Sequence, residues 1–262
     1  MPTNKPWAFI TGAAGGIGKA LVDAFVNSGY RVIAADIKWE SKARNKDVYE
    51  LGLNLEVLAF NSTELESLHS SVMELTEGKG LNALVNNAAN NPKVEDSSEV
   101  NFSRLENFPL NIWHDDIAVG LTGAFLCAKY YGTIISKNPN GGVIVNIASD
   151  LGLIAPDQRL YKQDNVSEEL QNVKSITYSV VKSGLIGLTR YLATYWPEKN
   201  VRCNAMCPGG IENGQSEDFL KAVFERIPMG RLANSDEYQG TLLWMLSDAS
   251  SYLNGAIVPV EG

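Results

Sequence analysis

Seven stretches of strand length rich in Val, Ile, Leu and Ala recur along the chain: WAFIT (7–11), RVIAAD (31–36), LEVLAFN (55–61), LNALVNNA (81–88), GGVIVNIAS (141–149), KNVRCNAMCPG (199–209) and GAIVPVEG (255–262). Continuous apolar runs, rather than strict alternation, belong to strands buried on both faces. Segments of helical period separate them, among them IGKALVDAFVNSG and TELESLHSSVMEL. Strand–helix–strand repetition builds a parallel sheet with right-handed crossovers and helices on both faces. No internal repeat, low-complexity tract or linker interrupts the pattern. The expectation is one α/β domain over residues 1–262, a doubly wound seven-stranded parallel sheet of Rossmann type.

Charge and cysteine usage remove several classes of function. The net charge is −8, and no basic stripe is available to follow a phosphate backbone, so no nucleic-acid partner is expected. The opening MPTNKPWAFITG is too short in apolar residues for a signal peptide. No stretch approaches the roughly 18 apolar residues of a spanning helix, so no membrane association is expected. Cys203 and Cys207 lie four apart, but the chain has no second pair, and its two histidines, His69 and His114, are distant. No metal site is expected. Free thiols suit a reducing, cytoplasmic setting.

Two connections are too long for simple turns, near 91–111 and 152–174. Both follow a strand, so both emerge at the carboxyl edge of the sheet, where ligands bind in such folds. The first strand runs into TGAAGGIGKA, which places Gly12, Gly16 and Gly18 at a strand-to-helix junction. Glycines there let a pyrophosphate approach a helix amino terminus. Asp36 closes the second strand, 18 residues beyond Gly18. A carboxylate at that position accepts hydrogen bonds from adenosine ribose hydroxyls and repels a 2′-phosphate. Gly15 occupies the loop position where a cation would favour NADP, and Lys38 reads as a solvated surface residue. NAD is therefore the expected cofactor. Asn61 and Ser62, at the end of the third run, are candidates to hydrogen-bond the adenine.

The segment SITYSVVKSGLIGLTR (175–190) puts Tyr178 and Lys182 one helical turn apart on one face. Ser149 ends the buried run NIAS. Together, TGAAGGIG, Asp36, NNAA (86–89), NIAS, YSVVK and NAMCPGG (204–210) resemble, in order and over nearly the whole chain, the short-chain dehydrogenase/reductase family. The resemblance implies a nicotinamide cofactor, hydride transfer between a small-molecule alcohol and a ketone, and a homotetramer or homodimer. It implies cofactor contacts from Gly12, Gly15, Gly16, Ile17, Gly18, Asp36, Ile37, Asn61, Ser62, Asn87, Ala88, Ala89, Tyr178, Lys182, Pro208, Gly209 and Ile211. It implies catalysis by Ser149, Tyr178 and Lys182. The chemistry agrees: a free tyrosine, with a pKa near 10, is a poor base at neutral pH. A neighbouring ammonium and a positive nicotinamide would lower that value. Ser149 would orient the substrate oxygen.

Four departures qualify the resemblance. In GLTGAF (120–125), Gly120 stands where family members carry an asparagine that orders a water beside the lysine. Each glycine in a helix costs on the order of 1 kcal/mol relative to alanine. Gly123 reads as close helix packing. Gly120 predicts a local bend or a water-filled space beside Lys182. Asn213 replaces a frequent threonine, and Asn61 a frequent aspartate. Ser149 and Tyr178 are 29 residues apart, about twice the usual separation in the family, because of an insertion near 157–172. That insertion carries Asp157, Gln158, Arg159, Lys162, Gln163 and Asp164, and the other long connection carries Lys93, Glu95, Asp96 and Arg104. Walls rich in charge and amides suit a hydroxylated or anionic substrate, such as a sugar. The insertions, the GLTGAF variant and the ending VPVEG also resemble dehydrogenases of bacterial surface-sugar and flagellin-glycan pathways. Two other readings stand beside this one: a 3-oxoacyl thioester reductase, and a non-catalytic nucleotide-binding sensor or scaffold.

Overall fold

A computed structural model of the chain describes residues 5–55, 62–90 and 101–262, with residues 62–65 in backbone only. Its sheet has eight strands in the order β3-β4-β2-β1-β5-β6-β7-β8. They are β1 (Trp7–Thr11), β2 (Arg31–Asp36), β3 (Lys42–Ala43), β4 (Val48–Gly52), β5 (Ala83–Asn86), β6 (Gly142–Ile147), β7 (Val201–Pro208) and β8 (Ile257–Val260). All pairings are parallel except that of the two-residue β3 with β4. The seven parallel strands match the expected number, and an antiparallel edge ribbon is added.

One strand is not where the sequence reading puts it. The place beside β2 belongs to Val48–Gly52, whereas a strand was expected over 55–61. Residues 56–61 lie outside the described ones, and Leu55 is helical. The segment VYELG escapes an apolar-run criterion because it lies near the sheet edge. Its Glu50 faces Lys42 and Arg44 at 4.0 and 3.9 Å.

Strands β1, β2, β5, β6 and β7 are almost wholly buried, as continuous Val/Ile/Leu runs require when helices cover both faces. On one face, α1 (Gly16–Asn27) brings Leu21, Val22 and Phe25 onto Ile10, Val32 and Val85. α2 (Ser62–Leu75) follows β4. On the other face lie α3 (Leu110–Ile135) and α4 (Ile176–Ala193), where Phe9, Ile33, Leu84 and Ile144 meet Tyr131, Ile135 and Leu192. α5 (Glu217–Phe224) and α6 (Gln239–Leu246) complete the fold.

Against the expectation that no stretch approaches a spanning length, α3 is long and apolar enough to cross a membrane. Its apolarity is that of a core helix: Ala118, Ala124, Ala128, Tyr131 and Ile135 are buried in the fold. α3 also widens into π-helical turns at Ala118–Thr122 and Ala128–Gly132. The first contains Gly120. A Cβ at Gly120 would stand 2.5 Å from Val181 Cγ1, and one at Gly184 of α4 would stand 2.8 Å from Leu121 Cδ2. Each helix thus lends the other a glycine notch for an apolar side chain. The expected water-filled space is therefore corrected, because Val181 fills it. Gly123 is tight for the expected reason: its Cβ would lie 3.0 Å from Leu55 Cδ1.

Candidate active site

The strand order reverses between β1 and β5, so a crevice opens at the carboxyl ends of the central strands. β1 delivers the glycine loop there. Gly12 has φ +64°, and a Cβ on it would lie 2.7 Å from Ala88 Cα, so only glycine fits. A Cβ at Gly18 would strike the Gly12 carbonyl at 2.2 Å, whereas one at Gly16 would meet nothing within 4 Å. The inner side of the loop is packed and its outer side open, as a cradle for a pyrophosphate requires. Asp36 ends β2 and is buried; its carboxylate accepts from the Ala14 and Lys38 amides, both at 2.9 Å. That anchors it at the loop, where a ribose hydroxyl would find an acceptor. Ile37, beside it, is exposed. These residues fit an adenine dinucleotide without a 2′-phosphate.

Asn87, whose side chain or neighbours are expected to line the cofactor, holds the loop: its side-chain amide donates to the carbonyls of Thr11 and Gly12 at 3.1 and 2.9 Å. Thr11, which the sequence reading did not single out, receives the amides of Asn87 and Ala88 on its hydroxyl at 3.0 and 3.1 Å. Below them, the Asn86 amide donates to Asn146 at 2.8 Å, and the Asn146 amide to Thr189 at 2.8 Å. Thr189 returns its proton to the Leu185 carbonyl within α4. This chain ties β5, β6 and α4 together beneath the crevice. At the end of β7, the Gly209 amide donates to Val260 O at 2.9 Å, and the Ile211 carbonyl accepts from Gln215 at 2.6 Å. Of the adenine candidates, Asn61 lies outside the described residues, and Ser62 is described only as the first residue of α2.

The 29 residues between Ser149 and Tyr178 do not separate them. After β6, the chain turns at Ser149–Gly152 and lies directly on α4, with a Cβ at Gly152 only 2.9 Å from the Lys182 carbonyl carbon. The Ser183 hydroxyl donates to Gly152 O at 3.2 Å. Ser149 then comes within hydrogen-bonding reach of Tyr178, while its hydroxyl donates to Asp150 Oδ1 at 2.5 Å. At the other end, Thr177 donates to the buried Asp116 of α3, which fixes the first turn of α4 just before Tyr178. Lys182 is buried, donates to Ile147 O at 2.8 Å, and lies 5.6 Å from the Tyr178 ring centroid.

Burial dominates the electrostatics. It pushes Lys182 down to about 8, helped by Lys174 and opposed by Cys207. It also raises the Tyr178 phenol; the Ser149 hydrogen bond lowers it, and the charge of Asp150 raises it further. In the protein alone the Tyr178 phenol lies above its ordinary value, because desolvation of a phenolate outweighs the Ser149 contribution; the expected fall includes the charge of a bound nicotinamide.

The insertion walls the site. Its Tyr161 phenol is pushed up to about 12 by burial and then by Tyr178 and Asp150, so it lies within electrostatic reach of both. Tyr161 packs against Phe219 of α5 with centroids 5.8 Å apart. Asp157 receives Arg159 at 2.7 Å and Arg226 at 2.9 Å. The two long connections also hold each other. Asn101 donates to Leu170 O at 2.9 Å and to Asn172 at 2.6 Å, and Arg104 donates to Glu168 O at 2.7 Å. Residues 91–100 of the first connection, with Lys93, Glu95 and Asp96, lie outside the described residues.

Comparison with known proteins follows the same lines. A family profile described as "Enoyl-(Acyl carrier protein) reductase" matches residues 12–262. The chain is 30% identical to a 3-oxoacyl-[acyl-carrier-protein] reductase of Thermotoga maritima, over 97% of this chain and 95% of that protein. It is 27% identical to a 2-dehydro-3-deoxy-D-gluconate 5-dehydrogenase of Bacillus subtilis, over 97% and 92%. Among solved structures, a short chain dehydrogenase of Leptospira borgpetersenii with bound NAD+ superposes with a TM-score of 0.79 at 25% identity, covering 98% of this chain and 92% of that one.

Proposed function

The chain belongs to the short-chain dehydrogenase/reductase family, and from that premise we propose that it is an NAD(H)-dependent oxidoreductase that interconverts a secondary alcohol and a ketone on a sugar or sugar derivative. The observation that carries the reading is the convergence of Ser149, Tyr178 and Lys182 at the crevice that also holds the glycine loop and Asp36. Gly12, Gly16 and Gly18 cradle the pyrophosphate, Asp36 takes the adenosine ribose, and Lys182 holds the nicotinamide ribose. The dinucleotide supplies the hydride acceptor or donor when bound. Ser149 fixes the substrate oxygen. Tyr178 takes the alcohol proton in oxidation and returns it in reduction.

A polar substrate is favoured because Asp150, Tyr161 and Lys174 all lie within electrostatic reach of Tyr178 or of each other. An acyl chain laid against those groups would take them further out of water at a cost. Precursors of surface polysaccharides or flagellin glycans are the first compounds to test. The second reading, a 3-oxoacyl thioester reductase, is favoured by the Thermotoga relative. The enzyme is read as cytoplasmic and as a homo-oligomer, with exposed Phe125 on α3 and Tyr191 on α4 available to a second copy. Titration of nicotinamide fluorescence with NADH and NADPH, followed by a screen of sugars, sugar acids, nucleotide sugars and acyl thioesters, tests the reading. NADH binds more tightly and a hydroxylated compound turns over. Tighter NADPH binding with turnover of a 3-oxoacyl thioester replaces it with the second reading.

A further inference from the structure

Two charged groups beside Tyr178 have no place in the mechanism above. Asp150 follows Ser149 directly and accepts the Ser149 hydroxyl at 2.5 Å and the Leu151 amide at 2.7 Å. A hydroxyl carries one proton, so Asp150 competes with a Tyr178 phenolate for the Ser149 hydrogen bond. Its own charge also disfavours that phenolate. An aspartate here therefore works against a tyrosine base twice over. The second group is Lys174, at the end of the insertion and four residues before Tyr178. Its ammonium stands 3.9 Å from the centroid of the Tyr178 ring, closer than Lys182 at 5.6 Å. Lys174 feels Asp150 directly: burial brings its value down to about 8, and Asp150 pulls it up. The insertion that lengthens the Ser149–Tyr178 interval thus ends by delivering a cation to the face of the tyrosine.

We propose that Lys174 is a positioning residue for the reacting tyrosine: the ammonium laid on the Tyr178 ring offsets Asp150, so that the two form a compensating pair around the Ser149–Tyr178 contact. The inference rests on Tyr178 being the base, and it concerns how that base is kept able to lose a proton. An ammonium over a ring face is attracted to the neutral ring. It is attracted more strongly to the same ring carrying a full negative charge a few ångströms away. The groups that bear on Tyr178 are Ser149 and Asp150 from the loop after β6, Lys174 and Tyr161 from the insertion, Lys182 from α4, and Tyr238 just before α6. Among the described residues Lys182 is the other cation of this set, and it donates to Ile147 O.

The test needs no substrate. The protein has ten tyrosines; labelled with carbon-13 at the ring carbon bearing oxygen, Tyr178 is identified by the signal that Tyr178→Phe removes. Its titration is followed by NMR with NAD+ present in the wild type, Lys174→Met, Lys174→Arg, Asp150→Asn and the Lys174→Met/Asp150→Asn double variant. With the positive nicotinamide bound, the Tyr178 midpoint falls into the range where Lys174 keeps its proton, and Lys174→Met raises that midpoint by about one pH unit, a tenfold smaller phenolate fraction below it. Asp150→Asn lowers the midpoint, the double variant returns towards the wild-type value, and Lys174→Arg stays close to it. A midpoint unmoved by Lys174→Met, or a double variant that shifts as far as Lys174→Met alone, overturns the proposal. Full turnover by Tyr178→Phe would instead overturn the assignment of the base, and the titration distinguishes the two failures.

Discussion

Lysine 182 is charged, buried and depressed from 10.5 to about 8, so the fold carries it at a cost. Holding its charge at pH 7 costs on the order of 3 kcal/mol relative to the unfolded chain. The sign follows from proton binding. Between about pH 8 and 10.5, the unfolded chain keeps this proton and the folded one releases it, so stability rises with pH across that window. Below pH 8 both states are protonated and the full cost is present. Lys182→Met removes the charge but leaves Ile147 O without its donor, a loss of roughly 1–3 kcal/mol. The balance favours the variant by about 1 kcal/mol at neutral pH, or a melting temperature some 2–4 °C higher. Thermal and urea unfolding of both proteins, at equal protein concentration from pH 7 to 10.5, measures the difference. The gap narrows and then reverses as pH rises, while hydride transfer by the variant is lost throughout. A Lys182→Met protein less stable than wild type at pH 7, with a gap independent of pH, refutes the reasoning.

Other outcomes follow from particular contacts. Gly120→Asn, which restores the family residue, destabilises by about 1–3 kcal/mol because it overpacks Val181; the Gly120→Asn/Val181→Ala double variant recovers much of that in denaturant melts. Gly12→Ala forces a side chain at φ +64° against Ala88. It weakens NADH binding at least tenfold by fluorescence titration, a reading sunk by unchanged affinity. Asp157→Asn weakens the contact with Arg159 inside the insertion and the one that joins the insertion to Arg226 after α5, so amide exchange over 157–161 speeds up without a change in NADH affinity.

The fold was legible because its strands are buried on both faces, which leaves uninterrupted apolar runs. The reading failed at Val48–Gly52, where an edge position admits Glu50 and Gly52 and removes that signature. At the site, motif order located Ser149, Tyr178, Lys182, Gly12 and Asp36. Contacts between segments distant in sequence stayed hidden. Nothing in YSVVK reveals that Val181 fills the notch at Gly120. Nothing in the insertion marks Lys174 for the tyrosine face. The direction at Tyr178 depends on burial, a three-dimensional quantity that charge counting along the chain leaves out. For Thr11 the available signal is a small hydroxyl at the last position of β1, directly before the glycine loop.

The central claim is that Tyr178 moves the proton while NAD moves the hydride. The most direct measurement is NADH formation by wild type and Tyr178→Phe, from NAD+ and the best hydroxylated substrate in the screen, alongside NADH affinity by fluorescence. The account predicts equal NADH affinity and a loss of at least a hundredfold in turnover, within the usual range for removing a general base. Turnover by Tyr178→Phe at the wild-type rate would contradict it.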